Sequence, residues 1–219
     1  MKAVRFHQHG GPEVLTLEDA PDPAPRAGLA IVRVRACALN HLDIWQRRGI
    51  ERMKIPFPHI SGADVSGEVV DSAGGTPSSM RVMLQPGLSC GTCAACLAGR
   101  DNRCARYDVL GYMSDGGYAE LVRVPEANLI PIPAHIDFVE AAAFPLTFLT
   151  AWHMLFTRAR LEEGEIVLVL AAGSGVGQAA LQLARHAGAF VIATAGSPDK
   201  LALATRLGAD ATIDHSPED

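Results

Sequence analysis

The residues Glu165–Gly177, EIVLVLAAGSGVG, decide how this chain is read. A continuous apolar run, Ile166–Leu170, meets a tight run of small residues, and an amphipathic stretch, QAALQLARHAG, follows directly. That order predicts a buried strand, a phosphate-cradling turn and a helix. Backbone comes close to a pyrophosphate only where side chains are absent, and the first turn of the next helix then offers unpaired N–H groups to the anion. A glycine-rich turn alone is a weak signal, because many strand–helix turns bind nothing. Its flanks decide its meaning.

Downstream, Gly188 ends the helix as the residue just past it. VIATA is a strand, and SPDK starts a helix with Ser197 as N-cap and Pro198 at the first helical position. That helix stops at Gly208, and DATIDH is a third strand. Upstream, Asp137 with Glu140 three residues on caps a helix over FVEAAAF. TFLTAWHMLFTRA forms a second helix before LEEGE turns into the apolar strand. Residues 131–219 therefore read as the first half of a Rossmann domain, a doubly wound parallel α/β sheet. A whole domain of this kind uses two such halves. The chain is expected to be truncated, short of on the order of a hundred C-terminal residues. A half-domain completed by a partner is the alternative.

Residues 1–130 have a different character. Lys2–Phe6 and Val14–Glu18 read as strands around HGGP, and PDPAPRAG is a rigid connector. In LAIVRVRACAL, Val32, Val34 and Ala36 fall on one face and Arg33 and Arg35 on the other, as in a half-buried strand. NHLDIWQRRG is a short helix or turn ended by Gly49, and SGADVSGEVV, MRVMLQP and GGYAELVRVP are further strands. Many short strands with Gly and Pro turns predict an all-β, barrel-like domain.

The 219 residues carry a net charge of −5 and show no basic patch. This argues against nucleic acid or an anionic membrane surface as partner. No apolar run approaches the roughly 20 residues of a membrane span, and the N-terminus lacks the apolar core of a signal peptide. A cytoplasmic location is expected. Five cysteines there are metal ligands or core residues before they are disulfides. CGTCAACLAGRDNRC, within a lobe at 88–106, places Cys90, Cys93, Cys96 and Cys104 in one short loop. Four thiolates at this density suit tetrahedral zinc with bonds of about 2.3 Å. Four sulfurs leave no open position, so the predicted role of the zinc is structural, holding a lobe with too few apolar residues to fold alone. Two disulfides or free thiols are the competing readings. Cys37 is read as a small buried hydrophobe.

The strand-rich first part, the cysteine lobe, GGYAELVRVP, the helix with TAW, and AGSGVG together resemble the medium-chain dehydrogenase/reductase superfamily, over essentially the whole chain. The resemblance implies a GroES-like, β-barrel-type N-terminal domain before the Rossmann half. In the zinc alcohol dehydrogenases of that superfamily a cysteine ligand precedes a Ser/Thr and an Asp, and a histidine ligand lies in GHE. Here the two loops read Asn40-His41-Leu42-Asp43 and Gly62-Ala63-Asp64. Asn40 stands at the cysteine position, Ala63 at the histidine and Leu42 at the proton-relay hydroxyl. The pattern looks like the quinone oxidoreductase branch, with LNxxD and no catalytic metal, although the cysteine lobe is unusual for that branch.

This resemblance implies a reductase that moves hydride from NADPH to an activated alkene or quinone. Asn40 is the expected donor to a developing oxyanion. Trp45 is a pocket wall, Thr150 lies near the nicotinamide, and Asp43 orients the loop. The plainer reading is that Asn40 and Asp43 only cap a helix. His41, Asp43, His59 and Asp64 stay open as an atypical metal site, which would make a zinc-dependent alcohol dehydrogenase. A non-catalytic NADPH-binding protein also stays open. The pyrophosphate turn is Ala172-Gly173-Ser174-Gly175-Val176-Gly177, with Ala172 at the first glycine position. An NAD site usually carries Asp or Glu at the end of the second strand. This chain has Thr194 and Ala195 there, followed by Ser197 and Lys200, which suit a 2′-phosphate. In the plainer reading Lys200 is solvated and Ser197 only a cap. NADPH is expected ahead of NADH, one structural Zn2+ beside it, a small-molecule substrate, and a homodimer or homotetramer for the full-length protein.

Overall fold

Local sequence signals account for most of the elements in the computed structural model, which describes residues 1–50 and 54–216. The chain divides into two units, Met1–Pro145 and Leu146–Asp219. In the first, β1 (Lys2–Arg5) and β2 (Thr16–Asp19) pair antiparallel across the 3-10 turn Pro12–Val14. β3 (Leu29–Ala38) is followed by α1 (His41–Arg48), which stops at Gly49 with φ +91°. β4 (Asp64–Ser72), β5 (Arg81–Leu84), β6 (Gly87–Leu88), α2 (Ala94–Leu97), β7 (Asp108–Val109), β8 (Leu121–Pro125), β9 (Leu129–Pro131) and α3 (Phe138–Ala142) follow in order. The α3 cap is the one the sequence announces: Glu140 N donates to Asp137 Oδ1 at 2.8 Å.

The expected β-barrel is not formed. Among the described residues the main sheet is open, with order β8-β3-β4-β5-β9, and β1/β2 and β6/β7 are separate two-stranded ribbons. Closure would need β8 and β9 to share a ladder. Both edges are short and both end in proline, Pro125 and Pro131, which removes an N–H where a ladder would continue. The core of this unit is Val32, Val65, Val69, Val82, Leu84, Leu110, Val122 and Val124. The two-face alternation expected for β3 holds only at Arg33–Arg35. Ala30, Ile31 and Val32 are all buried, because register shifts at Ile31/Val32 and Val34/Ala36 break the period of two.

In the second unit, α4 (Pro145–Trp152) starts at the boundary and continues as a wider π-helical stretch, His153–Ala159, ended by Arg160 at φ +58°. β10 (Ile166–Val169), α5 (Gly175–His186), β11 (Phe190–Ala195), α6 (Pro198–Arg206) and β12 (Ala211–Asp214) make a parallel Rossmann-like sheet of order β10-β11-β12. Its core joins Val169, Leu181, Val191 and Ala193 to small residues of the helices. The first strand is buried on one side only. Ile166 and Leu168 are 70% and 55% exposed, while Val169 is 7% exposed.

Candidate functional site

Asn40 enters α1 in extended conformation, φ −127° and ψ 156°, so its backbone N–H is a free donor at the helix start. Asp43, at the third helical position, takes that donor: Asn40 N lies 2.7 Å from Asp43 Oδ2. The same oxygen accepts the Tyr118 hydroxyl at 2.8 Å. The Asn40 side chain is held independently, because its Nδ2 donates to Asp64 Oδ2 at 2.9 Å. Asp64 opens β4, is 1% exposed, and is fixed by its register against Ala38. One asparagine is thus gripped by one carboxylate at its backbone and another at its amide. Asp43 Oδ1 is buried without a partner. Asp43 and Tyr118 also line a cavity of about 150 Å³ with Val4, Phe6, Leu15, Leu39 and Ile44, space enough for water beside them. Burial, then the Asp43 charge, pushes the Tyr118 phenol up, so it stays protonated and donating. Burial raises the Cys37 thiol as well, which fits an inert small side chain against Gly62 and Gly117.

Trp45 is 55% exposed, its ring 6.1 Å from that of the exposed His41. His59 lies elsewhere, fully buried, with Nε2 3.1 Å from Gly111 O, and Gln46 Nε2 donates to the carbonyls of Gly111 and Tyr112. Of the four residues considered for an atypical metal site, Asp43 and Asp64 flank Asn40, His41 is exposed at the start of α1 and His59 is buried against Gly111, and among the described residues the four do not gather as a ligand group. Thr150 is half-buried on α4 of the second unit.

The four cysteines do converge. The sulfurs of Cys90, Cys93, Cys96 and Cys104 all lie within 4.8 Å of one another. Zinc–sulfur bonds of about 2.3 Å in a tetrahedron require sulfur edges of about 3.8 Å. The Cys90–Cys96 and Cys93–Cys96 separations, 3.8 and 3.5 Å, fit that geometry. Backbone N–H groups of Thr92 and Cys93 and the side chains of Thr92 and Arg106 bring the Cys90 thiol down to about 5, so it is a thiolate at neutral pH. These residues fit a structural zinc, and no disulfide links them.

In the second unit the glycine turn joins β10 to the N-terminus of α5. Ser174 caps α5, its Oγ accepting from Gly177 N at 3.0 Å. A Cβ on Gly177 would lie 2.5 Å from Ala171 O, so only glycine lets the helix pack this close to the strand. Ala172 tolerates the first position because its methyl is buried in the core, leaving the mouth of the turn to Gly173, Gly175 and Val176. Lys200 is brought to the turn: a Cβ on Gly173 would touch its Cγ and Cδ at 2.8 Å. Thr194 and Ala195 are buried at the end of β11, and Ser197 caps α6 without a side-chain capping bond. His215 is a residue the sequence reading passed over. Its backbone N donates to Ala195 O at 3.3 Å, and its ring lies beside Gly196. Its place directly after the third strand, next to the end of the second, was the available signal.

Residues 26–134 match the family model described as alcohol dehydrogenase GroES-like domain, and residues 175–219 match that described as zinc-binding dehydrogenase. The quinone oxidoreductase of Mus musculus is 32% identical over 216 residues, covering 98% of this chain and 58% of its own length. A crystal structure of an NAD-dependent alcohol dehydrogenase is 51% identical with a TM-score of 0.97, covering 100% of this chain and 65% of its own. The cobalt- and zinc-bound thermostable alcohol dehydrogenase from Pyrobaculum aerophilum is 33% identical with a TM-score of 0.89, covering 98% of this chain and 65% of its own. The chain therefore spans less than two thirds of the length of each. One family model falls in each structural unit, and the matches to these relatives extend over both. The chain accordingly belongs to the medium-chain dehydrogenase/reductase superfamily, as a quinone oxidoreductase-like member with a four-cysteine cluster able to hold a structural zinc.

Proposed function

We propose that the full-length protein is an NADPH-dependent oxidoreductase that reduces an activated alkene or quinone by hydride transfer without a catalytic metal. The observation that carries this reading is the Asn40 amide held by Asp64. An amide nitrogen has two hydrogens. Asp64 takes one, and the other is available to a substrate oxygen as negative charge develops there. Such a fixed donor is worth a factor of about 10²–10³ in rate. NADPH, when bound, supplies the hydride. The glycine turn before α5 offers first-turn N–H groups to its pyrophosphate. Lys200 and Ser197 would meet the 2′-phosphate, and the absence of a carboxylate at Ala195 removes the repulsion that would exclude it. Trp45 would form an apolar wall, Thr150 would contact the nicotinamide, and the four cysteines would hold one structural zinc.

A second reading is an NAD-dependent alcohol dehydrogenase, favoured by the 51%-identical structure that carries this activity in its name. A screen of the full-length protein with NADPH and NADH against enones, quinones and alcohols separates the two, together with zinc counting. The first reading expects enone or quinone turnover with NADPH and about one zinc per chain. Asn40→Ala is expected to lower kcat about a hundredfold. Lys200→Ala is expected to weaken NADPH about tenfold and leave NADH unchanged. Alcohol oxidation with NAD that is lost along with a second zinc would overturn this reading.

A further inference from the structure

Tyr118 touches both loops that hold Asn40. Its backbone N donates to Ser61 O at 3.0 Å, and its ring lies where a Cβ on Gly62 would meet Cδ1 at 2.9 Å. It therefore packs directly on the segment Ser61–Asp64, whose last residue grips the Asn40 amide. Its hydroxyl donates at 2.8 Å to Asp43 Oδ2, the atom that holds the Asn40 backbone at 2.7 Å. Tyr118 lies 75 residues from Asp43 in sequence, so this link is not part of the local helix cap. The cap needs only Asp43 and Asn40, and a phenylalanine would keep the packing on Gly62. The hydroxyl thus serves neither the cap nor the packing. What it does is fix the rotation of the Asp43 carboxylate against the loop that carries Asp64.

We propose that Tyr118 is a positioning residue for Asn40, tying its backbone anchor to its side-chain anchor and so setting the direction of the amide donor. The proposal rests on the reading of Asn40 as that donor. A displacement on the order of 1 Å at such a group costs up to about a hundredfold in rate, and loss of one of several restraints costs less. Tyr118→Phe in the full-length protein is expected to lower kcat about tenfold and to leave KM for NADPH unchanged. In the Asn40→Ala background the same substitution is expected to leave kcat unaltered, because there is no donor left to misplace. Amide hydrogen exchange at Asn40, read by NMR, is expected to quicken about tenfold in Tyr118→Phe. An equal loss of kcat in both backgrounds would overturn the proposal by showing a general structural role. Unaltered exchange at Asn40 would overturn it as well. If Asn40→Ala alone leaves kcat intact, the reading of Asn40 as a donor fails, and the exchange measurement still decides whether Tyr118 holds it.

Discussion

At the residue scale, His59 shows how burial sets chemistry. It is fully enclosed, edge-on to Phe6 at 5.4 Å, with Nε2 on the Gly111 carbonyl and Nδ1 without a partner. Burial lowers its affinity for a proton, and the Gly111 carbonyl and the more distant Asp115 and Asp108 offset this only in part. An unfolded chain takes up a proton as pH falls below about 6.5, and the folded chain does so only at lower pH. Stability is therefore expected to be level above that pH and to fall below it, by up to about 1.4 kcal/mol per pH unit from this one group. Urea midpoints between pH 8 and pH 5 check this, and His59→Gln should flatten that part of the slope. A slope unaffected by His59→Gln would assign the acid sensitivity to other groups. The sequence named His59 only as a possible ligand. Nothing in PHISGAD says that the ring faces Gln46 and Gly111, because Gly111 lies 52 residues away.

At the scale of elements, caps and stops were legible because they are local. Asp137 with Glu140, Ser197 before α6 and the glycines at positive φ, Gly49, Gly188 and Gly208, were all readable within a few residues. The cysteine loop was legible for the same reason, since its four ligands sit within fifteen residues and converge. Its stability is expected to depend on metal. Chelation, or Cys93→Ser, should reduce zinc from about one per chain and open the lobe to trypsin at Arg100 or Arg103. Limited proteolysis with mass analysis reads this. Cleavage unaffected by chelation would show that the lobe holds together without the ion. The barrel was the element-level error: counting short strands says nothing about which edges share a ladder, and Pro125 and Pro131 end both edges.

At the scale of the whole molecule, the second unit presents a bare apolar sheet face. Ile166, Leu168 and Leu170 of the first strand region are 70%, 55% and 68% exposed, with Phe190 and Ile213 exposed on the neighbouring strands. Contiguous apolar surface of this kind promotes association. Leu168→Lys is expected to reduce self-association of the 219-residue chain in light scattering at a stability cost within about 0.5 kcal/mol. Unaltered scattering would show that this face is not what associates. The sequence by itself determined the longer strands and helices, the zinc-ready cysteine loop, the glycine-rich turn between strand and helix and the superfamily, because each is written in residues close along the chain. The tertiary structure alone decided that the main sheet stays open, that Lys200 lies over Gly173, that His59 is buried against Gly111, that the Asn40 amide reaches Asp64, and that the Tyr118 hydroxyl reaches Asp43. All but the first are contacts across 24 to 75 residues of separation, set by sheet register and close packing, and neither is encoded in any short stretch of sequence.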